Sequence, residues 1–81
     1  MTNQIIMLRR PEVEKRTGKA RTTIYRDIQE GLLTRPVSTG ANSVAWPDFE
    51  IDQINRAWMA GRSDDQIRQL VDELHRKRVT D

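Results

Sequence analysis

Gly18 restricts this chain more than any other residue. It stands between Pro11-Glu12-Val13-Glu14-Lys15-Arg16-Thr17 and Lys19-Ala20-Arg21-Thr22-Thr23-Ile24-Tyr25-Arg26-Asp27-Ile28-Gln29-Glu30-Gly31. A residue with no Cβ takes the left-handed backbone that ends one helix and redirects the chain into the next. Pro11 opens the first helix, since its missing N–H is one the first turn does not use, and Glu12 and Glu14 suit the positive end of the helix dipole. The first helix is expected over 11–16, with Val13 and Thr17 four apart on its inner face. A second helix is expected from Ala20 or Arg21 to Glu30, closed by Gly31. At about 100° per residue, Ile24 and Ile28 lie about 40° apart while Thr22, Arg26 and Gln29 gather on the opposite side. Two short helices joined by so tight a turn form a helix-turn-helix, here over about 11–31.

The pattern changes after Gly31. Leu32-Leu33-Thr34-Arg35-Pro36-Val37-Ser38 and Val44-Ala45-Trp46 flank Thr39-Gly40-Ala41-Asn42-Ser43, which reads as two short strands over about 32–46. Gly40 and Asn42 tolerate positive φ at the tip. Pro36 confines its strand to an edge, and a hairpin this small needs an apolar anchor, for which Trp46 and Val37 are the candidates. Pro47 begins a third helix over about 47–60, with Ile51, Ile54 and Trp58 on one face until Gly61. Ser63-Asp64-Asp65-Gln66 is a capping box for a fourth helix over about 63–78, whose stripe Ile67, Leu70, Val71, Leu74 ends in the cationic His75-Arg76-Lys77-Arg78. The expected architecture is mainly α with a small β-hairpin wing: a winged helix-turn-helix with an added C-terminal helix.

With 81 residues the chain is expected to be a single domain over 1–81, with a thin aliphatic core. The absence of cysteine removes disulfides and thiolate zinc sites. The longest apolar run near the start, Ile5 to Leu8, is too short for a signal peptide or a membrane span, so a soluble, cytoplasmic protein is expected. Net charge is only +2, yet residues 1–46 hold eight Lys/Arg against four Asp/Glu, and residues 47–81 hold six against eight. The half with the helix-turn-helix is therefore +4 and the other −2, a distribution that fits phosphate contact by the first half and, on charge alone, fits an ordinary mixed solvated surface equally well.

The functional reading follows from the outer face of the second helix. Arg21, Thr22, Tyr25, Arg26 and Gln29 lie off its apolar stripe, and a helix fits the major groove of duplex DNA. Arg forks to guanine O6 and N7, and Gln pairs with the adenine edge. Thr22 and Thr23, at the helix start, suit a phosphate oxygen and position rather than specify. In the wing, Arg35, Ser38, Thr39, Asn42 and Ser43 are placed to lie along the backbone or enter the minor groove. Lys15 and Lys19 are weaker candidates for phosphate contact, and an ordinary solvated lysine is the favoured reading of each. Taken one at a time, Arg21 pairing with Glu30 or Asp27, Tyr25 packing on the wing, and a merely solvated Gln29 are bland alternatives.

Catalytic chemistry finds little purchase here. There is no Ser/His/Asp set and no Gly-rich phosphate cradle. Asp64 and Asp65 are neighbours about 100° apart on a helix and look like partners of its dipole. His75 lacks a second metal ligand and reads as a solvated residue at a helix end. No enzyme and no cofactor are expected. A different class of reading is a protein-interaction adaptor that docks a partner through Ile67, Leu70, Val71 and Leu74. The larger share goes to the plainer reading that the stripe covers the small core, and a third is a homodimer that pairs two recognition helices on a palindrome.

The ordered set Leu8, Pro11, Val13, Thr17-Gly18, Arg21, Thr23-Ile24-Tyr25-Arg26, Ile28, Glu30-Gly31, Pro36-Val37, Gly40, Val44, Trp46, Glu50 and Ile51 resembles the AlpA-like prophage regulators. That family is related to excisionases and shares the winged-helix core of MerR-type proteins. The resemblance runs from Leu8 to about Ile54. It implies sequence-specific DNA binding, as a regulator of prophage or mobile-element transcription or as a recombination directionality factor, with an integrase or RNA polymerase as partner and a nucleoid location in a bacterial cell. It places Arg21, Thr22, Tyr25, Arg26 and Gln29 on the exposed side of the recognition helix. The chain departs from the family pattern at Lys19, where the family is apolar, and at Ala20, where it has a serine cap. Thr34 replaces a proline, Phe49 a serine and Ile54 a tryptophan. From about Asn55 onward the resemblance says little.

Overall fold

The computed structural model describes residues 4–79 of the chain. In order the elements are β1 (Met7–Leu8), α1 (Arg10–Thr17), α2 (Arg21–Gln29), β2 (Val37–Gly40), β3 (Ser43–Pro47), α3 (Asp48–Met59) and α4 (Asp64–Lys77). Four helices and a three-stranded antiparallel sheet of order β1-β3-β2 make a mainly helical fold compatible with a winged helix-turn-helix.

The turn between α1 and α2 forms as its residues dictate. Gly18 adopts φ 69°, and its N–H closes on the Glu14 carbonyl at 2.9 Å. Thr17 stiffens it: its hydroxyl donates to Val13 O at 2.7 Å and accepts the Lys19 N–H at 3.3 Å. At the far end of α2, Gly31 (φ 77°) and the bond from Leu32 N–H to Asp27 O at 2.8 Å make a Schellman stop. Gly61 (φ 73°), with Arg62 N–H on Ala57 O, ends α3 the same way. The start of α4 is the reciprocal box foreseen: Ser63 Oγ accepts from Gln66 N–H, and Gln66 Oε1 from Ser63 N–H. Ala20, by contrast, caps α2 with no side-chain hydrogen bond.

Two features of the sheet differ from expectation. Strand β1 was not foreseen; Met7 pairs with Pro47 and Leu8 with Trp46, so β3 is the central strand and the hairpin is fastened to the N-terminal segment. The tip turns through Ala41 and Asn42 with no positive φ at Gly40 or Asn42, and the irregularity falls instead between Ser38 and Gly40. The wing is thus narrower than 32–46: Leu32 and Leu33 are buried in the core before β2 begins.

The core joins all the helices to the sheet. Leu8, Val13, Ile24, Leu32, Leu33, Trp46, Ile51, Ile54, Ile67, Val71 and Leu74 form one cluster, with Ile28, Ala57, Trp58 and Leu70 packed at its margin. Trp46 is fully buried and its indole N–H donates to Thr34 O at 2.8 Å, which anchors the hairpin. Val37, the other proposed anchor, is only half-buried.

Candidate nucleic-acid interface

On α2 the burial pattern divides the helix cleanly. Ile24 and Asp27 are buried and Ile28 is half-buried, while Arg21, Thr22, Tyr25, Arg26 and Gln29 are exposed. Thr23, at the helix start, is intermediate. With about 3.6 residues per turn, Thr22, Tyr25, Arg26 and Gln29 occupy one outward arc. Arg21 lies 6.0 Å from the Tyr25 ring centroid, not against Glu30 or Asp27. Because Ala20 caps nothing, the first N–H groups of α2 are free to meet an acceptor.

The wing presents its part beside this helix in the chain order. Arg35, Ser38, Thr39 and Asn42 are exposed and Ser43 is intermediate. Ser38 Oγ makes a long bond to Gly40 O, 3.3 Å.

Charge pairing separates the two halves of the molecule more sharply than the charge count does. Up to residue 46, Arg9, Arg16, Arg21, Arg26 and Arg35 enter no ion pair while Arg10, Lys15 and Lys19 do; beyond it, among the described residues, Arg62 and Arg76 enter none. Beyond residue 46 most cations are internally matched: Arg56 to Asp52, Arg68 to Asp65, Lys77 to Glu73 and Arg78 to Glu50. Arg9 and Arg16, at the two ends of α1, are exposed cations that the sequence reading did not single out. Nothing in the sequence marks them: Glu12 lies three positions from Arg9 and four from Arg16, a spacing that offers both a partner, yet it meets Lys15 instead.

Several sequence-derived assignments need correction. Lys19 is not free for a phosphate: its Nζ meets Asp27 Oδ2 at 2.5 Å and sits 4.6 Å from the Trp58 ring centroid. Asp27 is buried beneath α2 instead of lying on its surface. Lys15 lies 3.8 Å from Glu12 on the same helix. His75 is not simply solvated; its Nε2 accepts the backbone N–H of Arg35 at 3.0 Å. Burial, with Arg35 and Arg78 beside it, lowers its pKa below the usual imidazole range, while Glu50 and Asp72 act the other way. Finally, Ile67, Val71 and Leu74 are buried in the common core and Leu70 packs at its margin, so the α4 stripe covers the chain's own core.

No group of His, Cys, Asp and Glu able to hold a metal ion occurs among the described residues, nor a helix long and apolar enough to cross a membrane. What the arrangement offers is forked guanidinium donors and an amide on one helix face, hydroxyls at its start, and a hairpin with a cation at its base.

Comparison with known proteins gives a family. The family described as Prophage CP4-57 regulatory protein (AlpA) matches residues 6–63. A protein of Enterobacteria phage P4, named Uncharacterized protein ORF88, is 46% identical over 55 residues, 68% of this chain and 58% of that protein. The chain therefore spans less than two thirds of that relative's length. No solved structure matches the chain.

Proposed function

The chain belongs to the AlpA family of prophage regulatory proteins, and on that premise we propose that it binds duplex DNA with α2 in the major groove and the wing on the adjacent backbone or minor groove. The observation that carries this reading is the outward arc Thr22, Tyr25, Arg26, Gln29 opposite a buried stripe, in the half of the molecule where Arg9, Arg16, Arg21, Arg26 and Arg35 enter no ion pair. Arg26 and Gln29 read base edges; Arg21, Thr22 and Thr23 seat the helix start on phosphate; Arg35, Ser38, Thr39, Asn42 and Ser43 follow the backbone. Regulation then proceeds either by recruiting or blocking RNA polymerase at a prophage-type promoter, or by directing an integrase toward excision.

The test is fluorescence anisotropy with duplexes tiling the protein's own flanking genomic DNA, at several salt concentrations. Binding is expected to weaken linearly in log K against log salt. Arg26→Ala and Gln29→Ala are each expected to lose about 1–3 kcal/mol on the preferred duplex and little on an unrelated one. Salt-independent binding, or an Arg26→Ala variant as tight and as selective as the parent, refutes the reading. A gel assay with circularly permuted fragments reports whether the duplex is bent, which directing excision uses and recruiting or blocking polymerase does not need.

A further inference from the structure

Residues 30–35 link the recognition helix to the wing, and they lie in irregular backbone. Helix α4 touches this link at three backbone groups. Arg68 Nε donates to Glu30 O at 2.8 Å, its stem passing over Gly31, where an added Cβ would sit 3.5 Å from Arg68 Cγ. Arg35 N–H donates to His75 Nε2 at 3.0 Å, and Arg78 donates to Arg35 O at 2.7 Å. Arg78 is itself fixed by a fork on Glu50, with Nε on Oε2 at 2.8 Å and a second nitrogen on Oε1 at 2.6 Å. Glu50 is fully buried on α3, so the grip is referred to the core. The family match ends at residue 63, immediately before α4 begins at Asp64.

We propose that α4 is a brace that sets the wing's position relative to the recognition helix, with Arg68, His75 and Arg78 as positioning residues acting on the backbone of residues 30–35, and that the His75 contact makes the brace yield as pH falls. Its effect on DNA rests on the DNA-binding reading; its geometry does not.

The chemistry of the His75 contact fixes the sign. Nε2 accepts a hydrogen bond from a backbone N–H only while the imidazole is neutral, with its own proton on Nδ1. Protonation turns Nε2 into a donor aimed at another donor. The groups facing His75 are Arg35 at the wing base, Arg78 at the end of α4, Glu50 on α3 and Asp72 on α4. Arg68 lines the same groove, a space of about 430 Å³ between α2, the link and α4. The folded-state pKa is lowered, so the folded chain binds fewer protons than the unfolded one in the window just below the ordinary imidazole value. The contact is therefore intact above about pH 6.5 and is lost as pH falls through the lower folded value.

The experiment is an amide NMR titration of the full chain between pH 8 and 5, for the parent, His75→Gln and His75→Leu. In parallel, affinity is measured for a duplex enriched from a random pool by the parent protein. In the parent, amides of Arg35 and residues 38–43 are expected to move together with one midpoint below 6.5, while Ile24 and Ile51 in the core stay fixed. His75→Gln keeps a neutral acceptor and is expected to titrate flat; His75→Leu is expected to show the low-pH wing position already at pH 8. Duplex affinity is expected to fall several-fold from pH 7.5 to 5.5 in the parent, beyond any fall in His75→Gln. Wing amides that stay fixed in the parent, or that move equally in His75→Gln, overturn the brace. If no duplex is enriched, the DNA reading falls instead, and the amide titration decides the brace by itself.

Discussion

Lys19 and Asp27 offer the sharpest quantitative test of how this fold is held. The Asp27 side chain is 7% exposed and Lys19 27%, and the Lys19 ammonium is the sole hydrogen-bond donor to that carboxylate among the described residues. In Lys19→Met the stem still packs against Trp58, but the carboxylate is left buried without a partner. Removing one member of a buried pair costs about 3–5 kcal/mol, and the partial exposure of Lys19 lets water enter and reduces this to about 2–3 kcal/mol. Against a total stability of about 4–12 kcal/mol for a chain of this length, that is a large share. The midpoint of thermal unfolding should drop by about 8–24 °C. Asp27→Leu leaves only a lysine that can swing into water and should cost about 1 kcal/mol, with some cation–π attraction to Trp58 retained. The double variant Lys19→Met/Asp27→Leu, apolar on both sides, should return to within about 1 kcal/mol of the parent. Urea melts of the four proteins close the cycle. If the two single losses simply add in the double variant, to within about 0.5 kcal/mol, the pair is not coupled and the argument from burial is wrong.

Three further perturbations have expected outcomes. Ala20→Ser supplies the missing cap of α2 and should stabilise the protein by about 0.5–2 kcal/mol in urea melts; no gain would mean that the first turn is satisfied in some other way. Thr34 is fully buried and its hydroxyl has no hydrogen-bond partner, so Thr34→Val, which keeps the shape and removes the orphan, should stabilise by about 1 kcal/mol, whereas a loss would reveal a hidden partner. Arg78→Ala strips the fork from the buried Glu50 and should cost about 3–5 kcal/mol by calorimetry, a loss that Arg78→Ala/Glu50→Gln should partly recover by neutralising the stranded carboxylate.

The legible parts of this fold were those punctuated by residues with local chemistry. Gly18, Gly31 and Gly61 end helices through their own backbone freedom, Pro47 stands at the start of α3, and the Ser63/Gln66 box starts α4; the helices therefore fall within a residue or two of their expected limits. Strand β1 escaped because two residues carry no period, and its reason to exist is Trp46 and Pro47 some forty positions away. The inward turn of Lys19 and Asp27 was hidden for the same kind of reason. A charged residue reads as solvent-facing until a partner eight positions off and an indole on another helix are known to converge on it. On the candidate interface, exposure of the α2 arc followed from the helical period alone. The tie from His75 and Arg78 to Arg35 joins positions some forty residues apart, a juxtaposition that only the folded chain reveals.

Pro47 serves two elements at once, as the residue paired with Met7 at the end of β3 and as the N-cap of α3. No slack separates strand from helix, so the hairpin, the N-terminal strand and α3 swing as a single stiff lever. Any compliance toward grooves of unequal width then lies in the two connections from that lever to the reading helix, the turn at Gly18 beyond α1 and the few residues after Gly31.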